Sequence, residues 1–213
     1  KIIDETSGLE IIDGQFVTHN DSGGDPALYY LDEKGKIVET RKIAGVKNTD
    51  WEDITKDEEF LYVANMGNNY DTRKNLSIVK IPIQKSSNEN VEVINFSYPE
   101  QKKFRRIYRR SEYDAEALIS FEDKLLIFTK NKRKKITEIY SLPKNGGNYR
   151  DLHARLRRAL HQQPDLRDAC VCRHQSLVAR LCGWSRQHQL RACGRDRHFT
   201  HSRRTAFRDL QRR

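Results

Sequence analysis

A short unit recurs three times in the first 131 residues, and that recurrence restricts the chain to few architectures. In each copy a brief apolar segment passes through a turn into a second apolar segment that ends on polar residues. Ser7-Gly8-Leu9 leads to Phe16-Val17-Thr18-His19-Asn20-Asp21. Asp50-Trp51-Glu52-Asp53-Ile54 leads to Leu61-Tyr62-Val63-Ala64-Asn65-Met66-Gly67-Asn68-Asn69. Asp114-Ala115-Glu116-Ala117-Leu118 leads to Leu125-Leu126-Ile127-Phe128-Thr129-Lys130-Asn131. Eleven residues separate Leu9 from Asn20, Ile54 from Asn65, and Leu118 from Thr129, and the three anchors lie 45 and 64 residues apart. A strand–turn–strand unit repeated at such a period is the signature of a solenoid or a propeller.

The segments around each unit complete the pattern. Strands are expected near 7–12, 15–20, 27–32 and 36–43, with Asp13-Gly14 as a tight hairpin turn and Asn20 to Pro26 as a loop of turn formers. A second set falls near 51–55, 59–64, 76–83 and 91–98, and a third near 115–120, 124–129 and 136–142. Four antiparallel strands in under 50 residues, joined by polar turns, make one propeller blade. The expected fold is therefore all-β, a partial propeller over residues 1–149 with blades near 5–45, 48–99 and 112–149. The third blade's fourth strand does not arrive as recognisable sequence. Since known propellers close with at least about four blades, the native protein is expected to be longer than this chain.

Composition breaks at the same place. The net charge of +10 suggests nucleic acid, yet from Asp151 onward there are 15 Arg and 5 Asp with no Lys or Glu, which accounts for the whole excess. All four cysteines and six of the seven histidines also lie there, while Ile, Tyr, Asn, Lys and Glu vanish. Residues 150–213 are thus read as a basic Arg/Cys/His-rich tail, irregular or locally helical, with Leu152, Leu156, Ala159 and Leu160 on one helical face. Its origin has three readings: an out-of-frame or disordered segment, a basic arm for nucleic acid, or a zinc module. Cys170, Cys172, His174, Cys182 and Cys193 supply zinc-ligand types without paired CxxC knuckles. No run of about 18 apolar residues exists, so no membrane-spanning helix is expected.

The repeat also aligns its polar residues. Ser7, Glu52 and Glu116 are equivalent, with Asp50 and Asp114 two residues before the last two. If first strands line a channel, these acids face one annulus, with Asn65 beside them and Asn20, Asp21, Asn68, Asn69 and Lys130 on the rim. Converging carboxylates and amide oxygens are hard ligands suited to Ca²⁺, and a metal so held can also activate water for hydrolysis. Acids and Asn at strand ends equally serve to cap turns. Trp51 reads as a packing residue between blades. His19, the one histidine before the tail, is the candidate general base, with no identifiable partner.

Five motifs in order, Ser7-Gly8-Leu9, Thr18-His19-Asn20-Asp21-Ser22-Gly23-Gly24, Asp50-Trp51-Glu52-Asp53-Ile54, Leu61-Tyr62-Val63-Ala64-Asn65-Met66-Gly67-Asn68-Asn69 and Asp114-Ala115-Glu116-Ala117-Leu118, within residues 5–144 resemble a family of uncharacterised, largely exported bacterial propeller proteins, common among Bacteroidetes-type secreted proteins. The resemblance implies an extracellular, cell-surface or periplasmic location. More distantly, the acidic first strands are similar to those of β-propeller phytases and gluconolactonase-like propellers, whose channel-facing carboxylates bind calcium or another divalent ion. Carried over, that likeness touches Asp114 and Glu116, with Glu52 as the equivalent one blade earlier. The multi-calcium acidic clusters of a phytase are missing. The expected function is a ligand- or partner-binding scaffold with a divalent-ion site at the channel mouth, taking a small molecule or a protein there. The alternatives are a metal-dependent hydrolase acting on an ester or phosphoester, and nucleic-acid binding through the tail.

Overall fold

The structure, a computed structural model, describes residues 2–85, 90–106, 110–150, 152 and the strand 154–159. Among these residues there are strands and turns and no α-helix. The first sheet is β1 (Thr6–Ile12), β2 (Gln15–Asn20), β3 (Ala27–Leu31) and β4 (Ile37–Lys42), paired antiparallel in chain order. The second is β5 (Trp51–Lys56), β6 (Phe60–Asn65), β7 (Leu76–Pro82) and β8 (Glu92–Phe96), again antiparallel in order. The third sheet holds β9 (Ala115–Phe121), β10 (Lys124–Thr129) and β11 (Ile136–Pro143).

Before that sheet gains its last strand, the chain crosses back. The short β12 (Gly147–Tyr149) adds to β8 in the one parallel pairing among the described residues, and β13 (Ala154–Ala159) then pairs antiparallel with β11. This corrects the helical reading of the tail's first turns. Leu152 is buried in the core beside Tyr140 and Leu142, and Ala154–Ala159 form a strand. The free edge of β11 offers a row of unpaired N–H and C=O groups, and a six-residue segment there gains a ladder that an isolated two-turn helix would lack. The tail's cysteines and its other basic residues, on which the zinc, nucleic-acid and out-of-frame readings rest, lie outside the described residues.

Alternation on each strand makes the sheets two-faced, and they stack in sequence. Ile12, Val17, Leu28 and Tyr30 of the first sheet meet Ile54, Leu61, Val63, Val79 and Ile81 of the second, with Trp51 buried between them. The opposite face of the second sheet (Ala64, Leu76, Ile78, Ile94, Phe96) meets Leu118, Leu125, Ile127, Tyr140 and Leu142 of the third. The remaining apolar face of each outer sheet forms a smaller cluster of its own.

The sheets touch most closely along their first strands: β1 lies against β5, and β5 against β9. Ser7 Oγ donates to the Trp51 carbonyl at 2.6 Å, and the Ser120 amide to Thr55 Oγ1 at 3.2 Å. Gly8 is needed for this approach, because a Cβ there would sit 2.7 Å from the Ile54 nitrogen and 2.8 Å from His19 Nε2.

Candidate metal centre

One irregularity occurs three times and positions the site. The β1–β2 ladder pairs Thr6 with Asn20 and Leu9 with Thr18, β5–β6 pairs Trp51 with Asn65 and Asp53 with Ala64, and β9–β10 pairs Ala115 with Thr129 and Ala117 with Phe128. In each case the first strand carries one residue too many at its start. In the second and third sheets those bulged residues are Glu52 and Glu116, and Ser7 holds the corresponding place in the first. A bulge leaves one residue unpaired and re-aims its side chain. Here it turns the glutamates out of the alternation that buries their neighbours.

The result is two overlapping groups of carboxylates. Asp21, Asp50 and Glu52 each bring an oxygen within 4.8 Å of the others, and so do Glu52, Asp114 and Glu116. Oxygens this far apart can share one ion, since Ca²⁺–oxygen distances run about 2.3–2.6 Å. The loop after β6 closes the floor: a Cβ on Gly67 would overlap both Asp50 Oδ2 and Glu52 Oε1. Only glycine lets the backbone lie under those two carboxylates.

Glu52 is the centre of the arrangement. It is 8% exposed, belongs to both groups, and receives no hydrogen bond on its carboxylate among the described residues. Burial pushes its pKa up, and repulsion from Glu116, Asp21, Asp50 and Asp114 pushes it further. Glu116 is also raised, by burial and by Asp114, with Lys130 and Lys132 working against the shift. Asp50 is raised by burial, partly offset by the Arg73 guanidinium, and lies close enough to Asp21 to share a proton with it.

The basic residues around the acids are arranged unequally. Lys132 Nζ is 2.8 Å from Asp114 Oδ2 and 2.8 Å from Asn69 Oδ1, and Lys130 Nζ is 3.5 Å from Glu116 Oε1. Arg73 stands near Asp50 and Glu52 but spends its N–H groups on neutral oxygens. It donates to the carbonyls of Gly67 (2.7 Å), Asn65 (3.1 Å) and Asn75 (3.3 Å), and to the side chains of Asn65 and Asn75.

Of the residues expected at the site, Asp50, Glu52, Asp114 and Glu116 converge, and Asp21 joins them from the rim set. The asparagines are otherwise engaged. Asn65 Oδ1 accepts from the Asp50 amide and Arg73 while its Nδ2 donates to the Lys47 carbonyl, so Asn65 braces the loop. Asn20 clamps the amide of Asp4 and the carbonyl of Ile2. Asn68 ties the Arg73 amide to the Tyr113 carbonyl, and its own amide donates to Asp114 Oδ1 at 2.9 Å.

His19 stands apart from both groups. It is fully buried, edge-on to Trp51 with ring centroids 5.6 Å apart, and Nδ1 faces the Asn20 carbonyl at 3.0 Å. Nε2 has no hydrogen-bond partner. Burial lowers the ring's pKa to about 4, and hydrogen bonding to the Asn20 backbone opposes the shift. It is a packed neutral imidazole, out of reach of solvent.

Three contributors were not legible as site residues: Gly67, Arg73 and Lys132. The only signal for Gly67 was its place in an Asn/Gly cluster, and Lys132 was hidden in a basic run, Lys132-Arg133-Lys134-Lys135, that reads as a turn. No protein-family model matches the chain, and no curated protein matches it.

Proposed function

We propose that the three sheets are consecutive blades of a β-propeller with β1, β5 and β9 innermost, and that the carboxylates at their start bind a divalent cation, Ca²⁺ by ligand type. The cation organises the mouth of an extracytoplasmic scaffold that holds a small molecule or a protein there. The blade reading is supported by the equal strand order of the three units and by the contact of their first strands. The placement outside the cytoplasm rests on the family resemblance.

One observation carries the cation reading: Glu52, a carboxylate 8% exposed, faces four other carboxylates and has no hydrogen-bond donor among the described residues. A buried charge of this kind needs a proton or a cation. An all-oxygen, all-acidic set favours a hard ion over zinc or copper. A scaffold is preferred to a hydrolase because His19, the one histidine before the tail, is sealed in the core and cannot act as a base. The fold class itself decides nothing between them.

The test is thermal unfolding in Ca²⁺ and in chelator. The wild-type chain should melt higher with Ca²⁺, and Glu52→Gln should melt higher than wild type in chelator while losing the Ca²⁺ response. A wild-type midpoint indifferent to Ca²⁺ and Mg²⁺ at millimolar concentration overturns the reading.

A further inference from the structure

Asn145-Gly146 is the one Asn-Gly pair of the chain. It sits in the short bend between β11 and β12, where the chain crosses from the third sheet to the second. Three contacts pin that bend. Lys144 Nζ lies 2.9 Å from Asp57 Oδ2, the Tyr149 hydroxyl donates to the Asn145 carbonyl at 3.1 Å, and the Gly146 amide donates to Glu92 Oε2 at 2.9 Å. The Asn145 side chain is the exception. Asn145 is exposed, and its side-chain amide makes no hydrogen bond among the described residues. In Asn20, Asn65 and Asn68, by contrast, both the oxygen and the nitrogen of the side chain are engaged.

An asparagine followed by glycine holds both partners of a cyclisation. The glycine nitrogen reaches the side-chain Cγ through a five-membered ring, and no Cβ shields it. The amide proton must leave for the nitrogen to attack, and here that proton points at a carboxylate. The 2.9 Å contact of Glu92 Oε2 lies within the reach of about 2.6–3.2 Å that a general base needs. The Gly146 amide, and after it Lys80 at 3.2 Å from Oε1, hold the Glu92 pKa below its usual value against the effect of partial burial. Glu92 is therefore ionised at neutral pH. Glycine also makes room for it, because a Cβ on residue 146 would lie 2.9 Å from Oε2.

We propose that Asn145 is a site of deamidation in the folded chain, with Glu92 as the base that starts it. The carboxylate takes the Gly146 amide proton. The nitrogen's electron pair forms a bond to Asn145 Cγ as the Cγ–Nδ2 bond breaks, and the proton departs with the leaving nitrogen as ammonia. Water then opens the cyclic imide at either carbonyl, leaving aspartate or isoaspartate, and nothing is oxidised or reduced. Either product sets a new carboxylate one residue from the amide that Glu92 holds. Isoaspartate also lengthens the main chain by one carbon, just before Gly147–Tyr149 pairs with Ile94–Phe96. The inference is independent of the cation site.

The 213-residue chain, aged at neutral pH either folded or in urea and then digested with trypsin, tests this. Cleavage after Lys144 and Arg150 releases residues 145–150, and fragment masses within that peptide separate Asn145 from Asn148. Folded wild type should convert Asn145 at least as fast as the unfolded chain. Glu92→Gln should slow the folded reaction by about tenfold or more and leave the reaction in urea unchanged. An Asn145 that converts in urea and stays intact in the folded chain overturns the proposal. Equal or faster conversion in folded Glu92→Gln overturns the role of Glu92, which would then be a brace and not a base. Should Glu92→Gln fail to fold, Lys80→Met gives the second reading. Without its ammonium partner Glu92 is the stronger base, so folded Lys80→Met should convert faster than wild type, and unchanged or slower conversion counts against the proposal.

Discussion

Asp53 Oδ2 accepts the backbone amide of Leu118 at 2.8 Å, across 65 residues of sequence, while Oδ1 accepts the amide of Ile54 at 2.9 Å. Its neighbour Glu52 receives no donor among the described residues. Two adjacent acids on one strand therefore have opposite employment: Asp53 pairs with Ala64 in the β5–β6 ladder and accepts backbone amides, while Glu52 is the extra residue of the bulge. Asp53 binds the second sheet to the third.

Asp53→Ala should accordingly destabilise the fold by about 1–3 kcal/mol, since it leaves two buried amides without acceptors. Urea unfolding monitored by the fluorescence of buried Trp51 measures it, and a loss under about half a kcal/mol would show that water replaces the carboxylate. Asp53→Asn, which keeps an acceptor, should cost less.

The two ends of β5 should respond to pH in opposite directions. Near its start, Glu52 and Glu116 have folded-state pKa values raised above the usual 4.5, so the folded chain binds more protons than the unfolded one. Stability should fall as pH rises from about 4.5 upward, by at most about 1.4 kcal/mol per pH unit for each proton concerned. Just beyond its other end, Lys144, Tyr62 and the amides of Phe60 and Glu59 hold Asp57 down at about 2. That group contributes stability above pH 3.8, and the contribution is lost as pH falls toward 2. Melting curves from pH 2 to 9 in chelator should show a maximum near mildly acidic pH. Glu52→Gln should flatten the alkaline limb, and Asp57→Asn the acid one.

Cation binding should reverse the alkaline limb. An ion must displace whatever protons the raised carboxyls hold, so its affinity rises with pH and protons are released on binding. Titration at pH 5.5 and 8 in buffers of differing ionisation enthalpy counts them. Equal affinity at both values would mean that the carboxyls are already ionised without the ion.

Gly67→Ala should separate folding from ion binding. A Cβ there overlaps Asp50 and Glu52, which are flexible side chains and can give way, so the sheets should survive. The carboxylates must then move apart, and the Ca²⁺-induced rise in melting temperature should disappear. Gly8→Ala is different in kind. Its Cβ meets the Ile54 backbone nitrogen at 2.7 Å, and it should cost about 1–3 kcal/mol with or without the ion.

A chain ended after Tyr149 should be less stable than one ended after Ala159. The shorter chain loses Leu152 from the core and bares the edge of β11. Differential scanning of the two truncations decides it. Equal midpoints would mean that β13 contributes nothing.

Much of the fold was legible because its signals are local. Asp13-Gly14, both with positive φ, turn β1 into β2 as the dipeptide foretold, and the predicted strand bounds of the first two sheets fall within three residues of those observed. The repeat alignment also brought Asp50, Glu52, Asp114 and Glu116 to one place. It missed β13, because Ala154-Arg155-Leu156-Arg157-Arg158-Ala159 has no strand composition and pairs only where β11 offers an edge. It misjudged Asn20, Asn65 and Asn68, because a polar side chain at a strand end looks the same whether it faces a ligand or its own backbone. Lys132 and Arg73 acquire their roles from neighbours 18 and 8 residues away, which periodicity does not report.

The repeated bulge separates two inheritances within a single strand. Residues after it (Leu9, Ile54, Leu118) keep the alternation on which the sheets pack, while the residue within it is free of that duty. Ser, Glu and Glu occupy the three equivalent slots without any change in the apolar frame. Selection or a designer can rewrite the polar cluster at the starts of these strands one slot at a time, and the scaffold underneath does not have to be re-solved.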